Sequence, residues 1–143
     1  MAVLMGVDLG EKRIGISVSD ETETVAVPLT TILVKSRHQI LSEFTKVINE
    51  YHVAKIIVGM PKTLKGEIGI SAKKVTEQVE WFKRFIDRPW LFWDERFSTQ
   101  EIERVLLAAD VRRERRKEVR DQLAAQRILQ SYLDHARFER ERL

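Results

Sequence analysis

The sequence predicts an α/β fold: a mixed five-stranded sheet with its first three strands antiparallel and helices on both faces. Three observations predict it. Three strand patterns follow one another within the first 33 residues. Helical and strand patterns then alternate as helix, strand, helix, strand and two helices. The chain has 143 residues, 43% hydrophobic and 33% charged, which suits one globular domain, here 1–143, with a substantial core. An antiparallel meander followed by β-α units gives a mixed sheet covered on two sides.

Val3 to Val7 is an apolar run of the buried-strand type. "RIGISVSD" alternates Ile14, Ile16 and Val18 against Gly15, Ser17 and Ser19, and a short Gly-bearing turn makes it the hairpin partner of the first strand. "VAVPLTTIL", Val25 to Leu33, is the third strand, and Pro28 places it at a sheet edge or at a bulge. Ser36 caps an amphipathic helix that carries Ile40, Leu41, Phe44, Val47, Ile48 and Tyr51. "KIIVG" is the fourth strand, and "MPKTLKGEIGI" is a loop with Pro61, Gly66 and Gly69.

Ser71 opens a second helix through Val75, Val79, Phe82, Phe85 and Ile86, broken at Pro89. "WLFWDER" is a fifth strand that ends in acids. Ser98 and Glu101 have capping-box spacing at the start of a third helix. A long final helix is expected from about Val119, after a basic segment at 112–120.

Composition narrows the function classes. The absence of cysteine excludes disulfides and thiolate metal sites. No apolar stretch reaches the length of a membrane span and no signal pattern opens the chain, so a cytoplasmic protein is expected. Net charge is only +3, yet "RRERRKEVR" holds six bases against two acids and leaves the remainder at −1. Such a patch suits a polyanion, nucleic acid first, or is simply a solvated helix face.

Three acids stand where apolar residues are expected. Asp8 lies inside "VLMGVDLGEKRIG", and a buried carboxylate without a partner costs several kcal/mol. Asp121 heads the stripe Ala124, Ala125, Ile128, Leu129 and Tyr132, while Arg120, Gln126, Arg127, Gln130 and Arg137 mostly take the other side. Alternatively, Asp121 sits at the frayed start of its helix and answers the dipole. The fifth strand presents Asp94 and Glu95, which point to opposite faces. Acids converging from two strands and a helix are tolerable if they hold divalent cations, and oxygen donors suit Mg²⁺ or Mn²⁺. Two ions about 4 Å apart would clamp the attacking and leaving oxygens of a phosphodiester displacement. Taken one at a time, each acid also fits a cap or an ion pair.

"GVDLGEKRIGISVSD", "IIVGMPKTLKGEIG", "WDERFST" and "VRDQLAAQRILQSYLD", in this order and spacing, resemble the YqgF family, also called RuvX. The resemblance spans about residues 3 to 136. It implies an RNase H-like, RuvC-like fold and a metal-dependent nuclease with Asp8, Glu95 and Asp121 as catalytic metal ligands. It also implies maturation of the 5′ end of pre-16S rRNA, with Holliday junction cleavage as the alternative. Arg120 departs from the small apolar residue expected before the aspartate and brings positive charge to the rim.

Phosphate contacts are expected from Lys12, Arg13, Lys62, Lys65, Arg96, Arg116 and Arg120, with Gly10, Gly66 and Gly69 allowing close backbone approach. For Gly10, turn geometry explains the residue equally well. Lys73 and Lys74 flank the helix start that would face a phosphate. The three histidines have no metal-pair spacing, and Trp81, Trp90 and Trp93 read as core.

Structured RNA, pre-rRNA above branched DNA, is the expected partner, with no membrane. A monomer is favoured over a dimer. Two other classes compete: a non-catalytic nucleic-acid-binding module, and a fragment of a sugar-kinase or actin-type ATPase, whose phosphate loop "GVDLG" also resembles. The second would need two such domains.

Overall fold

The computed structural model describes residues 2–61, 70–94 and 113–142, with the backbone alone at 70, 71, 113–122 and 142. Its elements are β1 (Val3–Leu9), β2 (Arg13–Ser19), β3 (Ala26–Leu33), α1 (Arg37–Tyr51), β4 (Val53–Met60), α2 (Ile70–Phe82), β5 (Trp90–Asp94) and α3 (Arg113–Arg142). The sheet order is β3-β2-β1-β4-β5. β1 pairs antiparallel with β2, and β2 with β3, while β4 joins β1 and β5 in parallel. This is the mixed sheet the sequence predicts.

Pro28 is both at an edge and beside a bulge. β3 is the outer strand, and its register against β2 steps from Ile16–Thr30 to Ser17–Pro28, so Leu29 is the extra residue. A proline without an N–H also blunts an open edge.

One core cluster fills the space between the sheet and α1 with α2. It contains Met5, Val7, Ile14, Ile16, Phe44, Ile56, Val58 and Phe82. Ser36 holds α1 in place with a capping box: its Oγ accepts from Gln39 N at 3.1 Å, and Gln39 Oε1 accepts from Ser36 N at 3.4 Å. The other face is covered by α3, through Leu4, Ala26, Ile57, Ile128, Leu129 and Leu133.

Two helix boundaries differ from expectation. α2 ends at Phe82 rather than running through Phe85 and Ile86. Its last turn tightens, with Phe85 N donating to Phe82 O at 3.0 Å and Arg84 N to Trp81 O at 3.2 Å. This turn aims Ile86 into the core and leaves Phe85 exposed. α3 begins at Arg113, not near Val119, so the basic segment from 113 onward belongs to the helix backbone. Arg, Lys and Glu are good helix formers, and no Gly or Pro interrupts them. The third helix expected at Ser98 and Glu101 lies outside the described residues, as does the loop at 62–69.

Candidate active site

Strand alternation divides the acids between the two faces. On β1, Met5 and Val7 face α1 and α2, whereas Leu4 packs with the α3 cluster. Gly6 and Asp8 share the parity of Leu4, and Asp8, half-buried, pairs with Gly15 across the hairpin. On β5, Trp90 and Phe92 join the first cluster, and Leu91 and Trp93 the second. Asp94, paired with Met60, therefore falls on the face away from Asp8. The sequence leaves open which of the two neighbouring acids belongs with Asp8; this register sets Asp94 apart. Glu95 and Arg96 lie outside the described residues.

α3 rests against the centre of the sheet at unusually short range. Gly6 and Ser17 are paired neighbours on β1 and β2. A methyl group on Gly6 would lie 2.7 Å from Leu129 Cβ and 2.9 Å from Ala125 O, and would also meet Ser17 Oγ. The fully buried Ser17 hydroxyl donates to Ala125 O at 2.8 Å.

At the β3 edge, Gln126 Nε2 donates to Ala26 O at 3.2 Å, while Gln130 Oε1 accepts from Ala26 N at 2.8 Å. Both glutamines were expected on the solvated side of the helix. They turn instead to an edge strand whose backbone groups need partners. On the other flank Lys55 Nζ donates to Tyr132 Oη at 2.6 Å, and Trp93 Nε1 to Ser131 Oγ at 3.0 Å.

Asp121 lies on α3 four residues before Ala125, and Arg113 opens the helix more than two turns earlier. That distance overturns the reading in which Asp121 answers the dipole from the helix start, because the effect fades within the first turn. Of the expected ligand trio, Asp8 alone has a described side chain. Among the described residues no group of three or more metal-binding side chains occurs. Arg116 and Arg120 are placed on the α3 backbone as well.

The remaining expected contacts divide into two groups. Lys12 is exposed at the hairpin tip, and Arg13 is half-buried at the start of β2. Gly10 serves the turn: its N–H donates to Arg13 O at 3.0 Å, and a Cβ there would collide with that same carbonyl. Lys62, Lys65, Gly66 and Gly69 lie outside the described residues.

A cleft of about 300 Å³ opens beside the hairpin, lined by Leu9, Gly10, Glu11, Pro61, Lys74 and Gln78. Across it Lys74 pairs with Glu11 at 3.0 Å. Glu11 is a carboxylate that sequence reasoning missed, and so a lysine expected to face phosphate already has an anionic neighbour. Gly6 and Ser17 were missed too. Their signal was a glycine on the same strand face as Asp8, opposite a strand whose matching face is Gly15, Ser17 and Ser19.

The histidines have structural contacts: His38 meets the Trp81 ring edge-on at 5.4 Å, His52 caps α1, and His135 packs on Trp93 at 5.3 Å. Asp20 organises the β2–β3 turn. The Thr22 hydroxyl, followed by the Val25 and Thr24 N–H groups, lowers its carboxyl from 3.8 to about 2.

An order of β3-β2-β1-β4-β5, antiparallel through its first three strands, with a terminal helix laid across β1, defines an RNase H-like fold. The same fold occurs in T. thermophilus RuvC in complex with Holliday junction substrate, at a TM-score of 0.60 and 17% identity over 97% of both chains. It also occurs in the Fowlpox virus resolvase bound to substrate Holliday junction DNA, at a TM-score of 0.57 and 11% identity over 94% of this chain and 98% of that one. A relative from Thermoanaerobacter pseudethanolicus named "Putative pre-16S rRNA nuclease" is 46% identical over 132 residues, 92% of this chain and 95% of its own. The RuvX family profile, described as Holliday junction resolvase, matches residues 2–135. The chain belongs to the RuvX family.

Proposed function

We propose that the protein is a metal-dependent nuclease that hydrolyses phosphodiester bonds and matures the 5′ end of pre-16S rRNA in the cytoplasm. Asp8, Glu95 and Asp121 are its metal ligands in this reading. The observation that carries it is the seating of α3 on β1. Leu4 packs with Leu129 and Leu133, and Gly6 meets Leu129 and Ala125, so α3 is followed backwards as β1 is followed forwards. The next same-face residue of β1 is Asp8, and the next turn of α3 carries Asp121. Leu91 and Trp93, which precede Glu95 at alternate positions, pack on the same face.

The donor set suits Mg²⁺ or Mn²⁺. Carboxylate oxygens are hard ligands, and the half-buried Asp8 stands opposite Gly15 rather than a bulky side chain. Divalent ions, two with substrate bound, would supply Lewis acidity for in-line displacement at phosphorus. Lys12, Arg13, Lys62, Lys65, Arg96, Arg116 and Arg120 hold substrate phosphates, with backbone approach at Gly10, Gly66 and Gly69. Lys74 works against Glu11, which tempers the anion attraction of the cleft.

The resolvase description of the family supplies the second reading, a four-way DNA junction. The test offers purified protein an RNA spanning the 5′ end of pre-16S rRNA and, separately, a four-way junction, each with Mg²⁺ or Mn²⁺. Cleavage of the precursor, acting as a monomer, is expected. Junction cleavage with the precursor left intact would replace the substrate assignment, and salt-dependent binding without cleavage of either would overturn the nuclease.

A further inference from the structure

We infer that Gly6 and Ser17 are positioning residues, which set how deeply α3 sits on the sheet and thereby the separation of Asp8 from Asp121. The inference rests on the reading of those two acids as ligands. Its ground is a contact that places both residues one step from the site.

Gly6 and Ser17 face each other across the β1–β2 ladder, under the turn of α3 that holds Ala125 and Leu129. Ser17 is fully buried, and its hydroxyl reaches past the absent side chain of Gly6 to Ala125 O at 2.8 Å. Ala125 itself is fully buried and adds only a methyl group to the interface. The helix is therefore held to the sheet from below by a directional bond and kept close by missing volume.

Both acids inherit that depth. Asp8 is two residues beyond Gly6 on the same strand face, about 7 Å along β1. Asp121 is four residues before Ala125, about 6 Å along α3. A helix is stiff over one turn, so a shift at Ala125 reaches Asp121 almost undiminished. A methyl group at residue 6 would stand 2.7 Å from Leu129 Cβ and 2.9 Å from Ala125 O. Carbon contacts relax only near 3.5–4.0 Å, so the packing must give, and a rise of α3 by about 1 Å is the movement that relieves the contacts with the helix. Sites of this kind tolerate about 0.5 Å. Displacement by 1 Å can lower turnover about 100-fold.

The opposite face of β1 carries Met5 and Val7 in the larger core cluster, which this change leaves untouched. The perturbation therefore falls on the face that carries the two acids and not on the larger core.

The experiment measures Mn²⁺ affinity by calorimetry, together with kcat and KM on the pre-16S precursor, for Gly6→Ala, Ser17→Ala and Leu133→Ala. Leu133 is buried on the same face of α3 but lies three turns from Asp121, so its truncation destabilises without moving that acid. Gly6→Ala is expected to bind Mn²⁺ about 10-fold more weakly and to lose about 100-fold in kcat, with KM within about threefold. Ser17→Ala adds no volume and is expected to lose about 10-fold in kcat by releasing the helix. It carries the test alone if Gly6→Ala fails to fold. Leu133→Ala is expected to keep the native Mn²⁺ affinity and the kcat of its folded fraction.

Native Mn²⁺ affinity and kcat in folded Gly6→Ala, or in Ser17→Ala if only that variant folds, would overturn the inference. So would a Leu133→Ala variant that weakens Mn²⁺ binding as much as they do. Asp8→Asn and Asp121→Asn run in parallel: if both cleave normally, it is the ligand assignment that has failed.

Discussion

The two faces of the sheet are packed by different rules. Beneath α1 and α2 the residues are large: Phe44 and Phe82 meet at 5.1 Å, Phe82 stacks on Trp90 at 6.1 Å, and Ile and Val from four strands fill the rest. Where α3 meets the sheet the central residues are small, Gly6 and Ser17 on the strands and Ala124 and Ala125 on the helix, with one short hydrogen bond from Ser17 to Ala125. The first face gains its free energy from buried area. The second gives up area for proximity, because only small residues let a helix backbone approach a strand closely. In the proposed site, that proximity is what would bring a carboxylate on the strand and one on the helix within reach of the same ions. On the proposed reading, stability and function are separated by the thickness of one sheet.

That separation can be broken from either side. Phe82→Ala, on the large-residue face, is expected to destabilise by about 3–5 kcal/mol, measured by urea unfolding, while kcat of the folded fraction stays unchanged. Ala125→Val adds volume on the close face. It is expected to cost about 1–3 kcal/mol and, unlike Phe82→Ala, to depress cleavage by the protein that remains folded. If both variants lowered kcat equally, the two faces would not differ in role.

Changes remote from both faces should touch neither property of the site. His52 caps α1 at a φ of 54°, a left-handed conformation that favours glycine. His52→Gly is expected to raise stability by about 0.5–1 kcal/mol in thermal unfolding, with cleavage unchanged.

The smallest effect belongs to Asp20. Its carboxyl is lowered to about 2 in the folded chain, first by the Thr22 hydroxyl and then by the Val25 and Thr24 N–H groups. The stabilisation is therefore complete above 3.8, the ordinary value, and is lost as pH falls through about 2. The thermal midpoints of wild type and Asp20→Asn should differ at neutral pH and converge near pH 2. A gap that persists unchanged at pH 2 would show that ionisation of Asp20 is not its source.

The sheet was legible in the sequence because period-two patterns are local. Ile14, Ile16 and Val18 set one face of β2, and Pro28 pointed to an edge or a bulge in β3, which has both. The α3 stripe from Ala124 to Leu129 was legible for the same reason, and Asp8 and Asp121 stood out against it.

What the pattern hid were matters decided by distant partners. Gly6 looks like an ordinary small residue until Ala125 and Leu129, more than a hundred positions later, are laid over it. Gln126 and Gln130 read as solvated because an amide is polar, yet the backbone of an edge strand is polar too and claims them. Phe85 and Ile86 continue the apolar rhythm of α2, but the chain must turn there to bring Pro89 to β5, where its carbonyl accepts from Ile56 N at 2.9 Å.

The measurement that bears most directly on the site is cleavage of the pre-16S precursor by Asp8→Asn and Asp121→Asn, each checked for native folding by circular dichroism. Both variants are expected to fold and to lose at least about 100-fold in Mg²⁺- or Mn²⁺-dependent cleavage, since ligand loss should exceed the effect of an outer-shell change. Wild-type cleavage by either folded variant would contradict the site in which strand β1 and helix α3 each supply one acid.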